Sequence, residues 1–261
     1  MGRFNQSHDN EIPIVPLSES SATSWADEDP DHLGWYQLFA GFAGLLWVTV
    51  VAGVVVRNRG DARTGWGWDL RIARWTADHR TTWMTRLATD VSVAGSTPVL
   101  ISGTAVLGVL VWRHGRHSGT AALPLLALVD TEVVVQIAKR IVARPRPPAS
   151  LASAGFDGLT WPSGHAASAT AVSASICVVA TAIGLGPAVR RRIRWTVGSL
   201  AVLVASSGIA LGAHWTSDVL MGGVVGAAVV ALLAQSLLSD HTSRSPDPGY
   251  DDLLVPPRAD L

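Results

Sequence analysis

Six apolar runs of roughly 20 residues constrain this chain most, because a helix of that length matches the hydrocarbon core of a bilayer. They are Trp35 to Val56, Leu87 to Trp112, Gly119 to Val142, Gly164 to Leu185, Trp195 to Ala213 and Trp215 to Leu238. The expected fold is all-α: a polytopic membrane protein built as a six-transmembrane-helix bundle. Composition agrees, since only 15% of the residues are charged, against about a quarter in a soluble domain. The second run is the weakest, being interrupted by Asp90 and by Gly95-Ser96-Thr97-Pro98. The third carries Asp130, Glu132 and Gln136, so one of its faces must be shielded from lipid. The fourth is rich in Ala, Ser and Thr, which permit close helix packing.

The ends differ from this core. Residues 1–33 are polar and acidic, with Glu11, Glu19, Asp27, Glu28, Asp29 and Asp31 against Arg3. They lack the basic start, short apolar core and cleavage site of a secretory signal. A disordered tail is expected there and again over 240–261, leaving 34–239 as the membrane domain. Formal net charge is zero, so nothing points to a nucleic-acid partner. The single cysteine, Cys177, lies in an apolar run and excludes an intrachain disulfide.

Arginines in short loops set the expected orientation. Arg113 and Arg116 join the second and third runs, and Arg190, Arg191, Arg192 and Arg194 join the fourth and fifth. Both loops fall on one side of a six-span chain, which predicts a cytoplasmic side shared with both termini. The loop from Lys139 to His165 and the turn at His214 then share the opposite, extracytoplasmic face. The first connection conflicts with this rule, because it holds Arg57, Arg59, Arg63, Arg71, Arg74, Arg80 and Arg86. Trp66, Trp68, Leu70, Ile72, Trp75 and Trp83 interleave with those charges, which predicts an amphipathic segment lying at the membrane surface between the first two spans.

Catalytic residue types gather on that extracytoplasmic face. Lys139, Arg146 and Pro147 have the spacing K-x6-R-P, and Lys139 is the sole lysine among 20 basic residues. Arginine can grip two phosphate oxygens while lysine acts as a point charge, and the surrounding prolines stiffen the loop. Ser163 occupies an N-cap position before Gly164 and His165, and a helix N-terminus seats phosphate through its free N–H groups. His214 and Asp218 stand four apart and share a helix face. A carboxylate beside one imidazole nitrogen fixes the tautomer and frees the other nitrogen to attack. Together these are the parts of a phosphoryl-transfer site.

The order K-x6-R-P, P-S-G-H and H-x3-D resembles the type 2 phosphatidic acid phosphatase superfamily, which includes bacterial lipid phosphatases and vanadium haloperoxidases. The resemblance covers about Trp75 to Leu238. It implies that His214 attacks phosphorus to form a phosphohistidine, that Asp218 orients it, and that His165 protonates the leaving group. Lys139, Arg146, Ser163 and Gly164 would bind phosphate, and no metal or cofactor is required. The family's third motif reads S-R-x5-H-x3-D, and here Gly208 follows Ser207 where the arginine belongs. Loss of one preorganised donor costs about two to three orders of magnitude in rate. Arg144, Arg80 or Arg86 are the candidates to replace it.

Helical periodicity places Glu132 and Gln136 on the face of Lys139, one to two turns away, and Asp130 roughly opposite. The resulting expectation is a bacterial plasma-membrane phosphatase acting on a lipid-linked phosphate or pyrophosphate, such as a polyprenyl pyrophosphate, phosphatidic acid or phosphatidylglycerol phosphate. The bilayer and that lipid are its expected partners, while the sequence leaves oligomeric state open. The alternative is a degenerate member that binds or moves phospholipid without efficient hydrolysis, which Gly208 alone supports. A metal hydrolase using His165, His214 and Asp218 is disfavoured, since Lys139 and Arg146 would repel the cation.

Overall fold

The computed structural model describes residues 30–59, 66–115 and 118–243. They form α1 (Pro30–Arg59), α2 (Gly67–Asp78), α3 (Thr82–Ala94), α4 (Thr97–Arg113), α5 (Ser118–Val142), α6 (Gly164–Ala182), α7 (Pro187–Ala210) and α8 (Thr216–Ser243), with a 3-10 turn at Ala149–Leu151. No strand occurs among them. The helical chain slightly exceeds the expected bounds of 34–239, while residues 1–29 and 244–261, and with them most of both expected tails, lie outside the described residues.

Helices α1, α5, α6, α7 and α8 are each long and apolar enough to cross a membrane. The expected second span is instead two helices, α3 and α4, meeting at 48°. The cause is local. Gly95 caps the end of α3, Ser96 precedes α4, and Pro98 lies in the first turn of α4. A proline that far into a continuous helix would lose one hydrogen bond and clash with the preceding turn. A Cβ on Gly95 would also run into the Val204 side chain, so α3 approaches α7 closely at the bend.

Small side chains put α6 at the centre, packed on α5, α7 and α8. Its Ala166, Ala167, Ser168, Ala169 and Ala171 are buried. Helix α8 meets it with Gly222 and Gly226, four apart, where an added Cβ would press on the carbonyls of Ser163 and Ala167 respectively. Such small-x-x-x-small faces allow the backbone approach that helix pairs use inside membranes. Val134 and Val135 of α5 join Ala167, Val225 and Val229 in the central apolar cluster.

Helix α2 is the amphipathic segment expected between the first two spans. It buries Asp69, Ala73 and Thr76, spaced along one face, and leaves Trp75 and the basic Arg71 and Arg74 exposed. That buried face lies on α7, α8 and the 3-10 turn. Two arginines of the first connection have structural tasks that no charge rule anticipates. Arg57 donates to the Val142 carbonyl at the end of α5 (2.6 Å). Arg80 donates to the carbonyls of Ala210 and Leu151, both at 2.8 Å, tying the end of α7 to the 3-10 turn.

Candidate active site

The ends of α5, α6 and α7 and the turn before α8 enclose a cavity of about 270 Å³. Lys139, Arg146, Gly164, His165, Gly208 and His214 line it, with Ser92, Thr97, Glu132, Gln136, Phe156, Leu211 and Ala213. Motif residues separated by up to 75 positions in the chain thus meet around one space.

Lys139 reaches the cavity from the last turn of α5, held by a 3.0 Å hydrogen bond from Nζ to the Leu159 carbonyl. Arg146 sits in the loop after α5, and its Nε donates to Asp157 O (2.8 Å) and its Nη1 to Ala213 O (2.6 Å). The Phe156 ring lies 6.0 Å from its guanidinium carbon. Among the described residues Nη2 has no protein acceptor, so one edge of the guanidinium remains for a ligand. Burial lowers the pKa of Arg146, opposed by the Asp218 and Asp157 carboxylates; an arginine stays charged through any such shift.

Ser163 caps α6, accepting from Ala166 N at 3.5 Å, and its own N–H donates to Asp218 O at 3.0 Å. It does not line the cavity; its work is to fix the start of α6 on the first turn of α8. Gly164 and His165 follow in the wall. The start of α6 therefore borders the same space as Lys139 and Arg146, an arrangement suited to an anion.

His214 is 7% exposed and sits in the turn between α7 and α8. Its Nδ1 lies 3.7 Å from Asp218 Oδ2 and has no hydrogen-bond partner among the described residues. Burial pushes the imidazole pKa below its ordinary value, and the Asp218 carboxylate pulls it back up, while Lys139 and Arg146 push it further down. Asp218, fully buried, accepts from Trp215 N at 2.9 Å through Oδ2 and from Arg144 at 2.5 Å through Oδ1.

Arg144, the further phosphate ligand suggested by the sequence, is not in the cavity wall. It is 3% exposed, lies over the rings of Trp161 (5.9 Å) and Trp215 (5.4 Å), and spends its nitrogens on Asp218, Ser217 and Asp69. Arg80 is committed to two carbonyls and Arg86 is exposed on α3, so neither supplies the missing clamp. Lys139 and Arg146 are the cations among the lining residues.

Glu132 and Gln136 do share the cavity with Lys139, as periodicity predicts. Glu132 Oε1 accepts from Thr97 (3.1 Å) and Ser168 (2.7 Å), joining α4, α5 and α6. Asp130 points away, into an apolar groove between α1 and α5. Sequence reasoning missed Asp69. The available signal was an acid at a position where the helical period of α2 puts its inward face.

The family comparison now has a geometry to rest on: the PAP2 superfamily model matches residues 120–240, a stretch that contains all three motifs. Over that stretch the chain is similar to the PAP2 superfamily. No curated protein matches the chain. Among solved structures it is similar to a transmembrane PAP2-type phosphatidylglycerolphosphate phosphatase from Bacillus subtilis, with a TM-score of 0.63 and 19% identity over 81% of this chain and 98% of that one. At that identity the likeness is one of fold. It extends the agreement beyond the PAP2 domain to the preceding helices, and with the apolar helices it makes this a multi-pass membrane protein.

Proposed function

We propose that this protein is a lipid phosphatase that hydrolyses lipid-linked phosphate monoesters or pyrophosphates through a phosphohistidine. The observation that carries the reading is the convergence of Lys139, Arg146, His165 and His214 on one cavity, closed on one side by a helix N-terminus. Lys139, Arg146 and the first N–H groups of α6 hold the phosphoryl oxygens and neutralise charge as it develops. His214 Nε2 attacks phosphorus, its Nδ1–H turned toward Asp218. The bond from phosphorus to the leaving oxygen breaks, and that oxygen takes a proton from His165. Water then attacks the phosphohistidine with its proton passing to His165, which releases inorganic phosphate and restores both imidazoles.

The same reading places the protein in a bacterial plasma membrane, with the cavity on the extracytoplasmic face and both termini cytoplasmic. Phosphate release by purified protein from polyprenyl pyrophosphate, phosphatidic acid and phosphatidylglycerol phosphate tests it, with His214→Ala as control. Turnover of at least one substrate that the variant lacks is the expected result; equal release by both proteins would sink the claim. A lipid-binding protein without efficient hydrolysis is the second reading, favoured by the bare Gly208 in the wall. Binding of those lipids without turnover would support it.

A further inference from the structure

Two buried carboxylates share one buried guanidinium behind the cavity. Arg144 Nη2 donates to Asp69 Oδ2 at 2.8 Å, and its Nη1 donates to Asp218 Oδ1 at 2.5 Å. Asp69 comes from the surface helix α2, Asp218 from the first turn of α8, and both side chains have 0% exposure. Ser217 completes the ring: its N–H donates to Asp69 Oδ1 (2.9 Å) and its hydroxyl to Asp69 Oδ2 (2.6 Å), while Arg144 donates to that hydroxyl (2.8 Å). A surface helix thus grips the residue next to Asp218 and the arginine bound to it.

The charge count gives this arrangement a purpose. A lone Arg144 on Asp218 would cancel the carboxylate that His214 needs. Two carboxylates on one guanidinium leave the cluster with a net charge of about −1, in surroundings where water screens little. We propose that Asp69 is a positioning residue for the reaction: it draws Arg144 to itself, so that Asp218 keeps both its negative charge and its orientation toward His214. This rests on the phosphatase reading above. Docking of α2 is then a condition for turnover, although α2 contributes no residue to the cavity wall.

The test uses the purified full-length chain in detergent and whichever of the three lipid phosphates the wild type turns over. Asp69→Asn keeps the shape and removes the charge. Its kcat should fall about 10- to 100-fold, as for outer groups that orient functional histidines elsewhere, with KM within about threefold. The charged groups acting on His214 are Asp218, Lys139 and Arg146. With Asp69 neutral, Arg144 cancels Asp218, the imidazolium loses support, and the acid limb of kcat/KM moves to lower pH. Asp69→Glu, which restores the charge, should recover part of kcat and return the limb.

A kcat within twofold of wild type for Asp69→Asn would overturn the inference. So would a loss confined to KM or thermal stability with the acid limb unmoved, since that is what loosened packing alone produces. If Asp69→Asn does not purify as folded protein, Ser217→Ala decides. It keeps every charge but breaks the ring, so kcat should fall several-fold at constant KM, and an unchanged kcat would overturn the proposal. A wild type that turns over no lipid phosphate removes the phosphatase reading, and this inference falls with it. An active wild type with indifferent variants removes this inference alone.

Discussion

His214 Nδ1 stands 3.7 Å from Asp218 Oδ2, within Coulomb reach and just outside hydrogen-bond range. Both groups are buried, and among the described residues the nitrogen has no other partner. A relative shift of roughly 0.5–1 Å would close the bond. A ligand pressing on the other edge of the imidazole supplies a reason for that shift.

The pH dependence follows from the same pair. In the proposed reaction His214 must be neutral to attack, and burial is the largest influence on it, lowering its pKa despite Asp218. The acid limb of kcat/KM should therefore fall below the ordinary imidazole value of about 6.5. Asp218→Asn removes the group that favours the imidazolium, so the limb should move lower still. Its kcat should drop about 10²- to 10⁴-fold, because the tautomer is no longer enforced. Initial-rate profiles of both proteins between acid and neutral pH check the sign. A limb that moves upward in Asp218→Asn would contradict it.

How much of this was legible beforehand depends on the range of the interaction. The spans, the small-residue α6 and the three motifs are local patterns, written within a turn or two of helix. Glu132 and Gln136 could be placed beside Lys139 because helical period fixes a face. The break at Gly95 to Pro98 was visible as a weakness, but its 48° bend depends on the fit of Gly95 against Val204 of a distant helix. Arg144 was a candidate to replace the arginine missing at Gly208, and it stands two residues from Arg146. Alternation along an extended segment would put two such residues on the same side, but Asp69, 75 positions earlier, holds Arg144 away from the cavity. No local pattern carries that information.

Lys139 should not be exchangeable for arginine. Its ammonium sits at the end of α5 with one proton on Leu159 O and room for others toward the cavity. A guanidinium is planar and longer, and it cannot keep the Leu159 bond and reach the same oxygens. Lys139→Arg should lower kcat/KM at least about tenfold with the fold intact. Steady-state kinetics with a thermal unfolding curve measure both, and a variant with wild-type kcat/KM would show that charge alone suffices.

The α6–α8 contact should be intolerant of bulk. A Cβ on Gly226 would overlap the Ala167 carbonyl, which is helix backbone and cannot swing away, whereas one on Gly44 in α1 meets nothing within 4 Å. Gly226→Val should lose about 1–3 kcal/mol or more through overpacking, and it should reduce activity by tilting α8 against α6. Gly44→Val is the control and should leave activity near wild type. Thermal unfolding in detergent separates them, and equal midpoints would refute the close-packed interface.

Gly208 supplies the last prediction, because its position has both a steric and an electrostatic side. A Cβ there would lie 3.3 Å from His214 Cδ2, tight enough that the imidazole must yield by a few tenths of an ångström. Gly208→Ala adds that pressure and no charge, so it should lower kcat by displacing His214. Gly208→Arg adds the same pressure together with the guanidinium that the third motif otherwise carries, in a wall whose cations are Lys139 and Arg146. If the two-cation clamp limits turnover, Gly208→Arg should exceed Gly208→Ala by about 10-fold or more, in line with the worth of one preorganised donor. The comparison between the two variants, rather than either against wild type, isolates the charge. Equal rates for Ala and Arg would mean that phosphate in this cavity is already held sufficiently by Lys139, Arg146 and the start of α6.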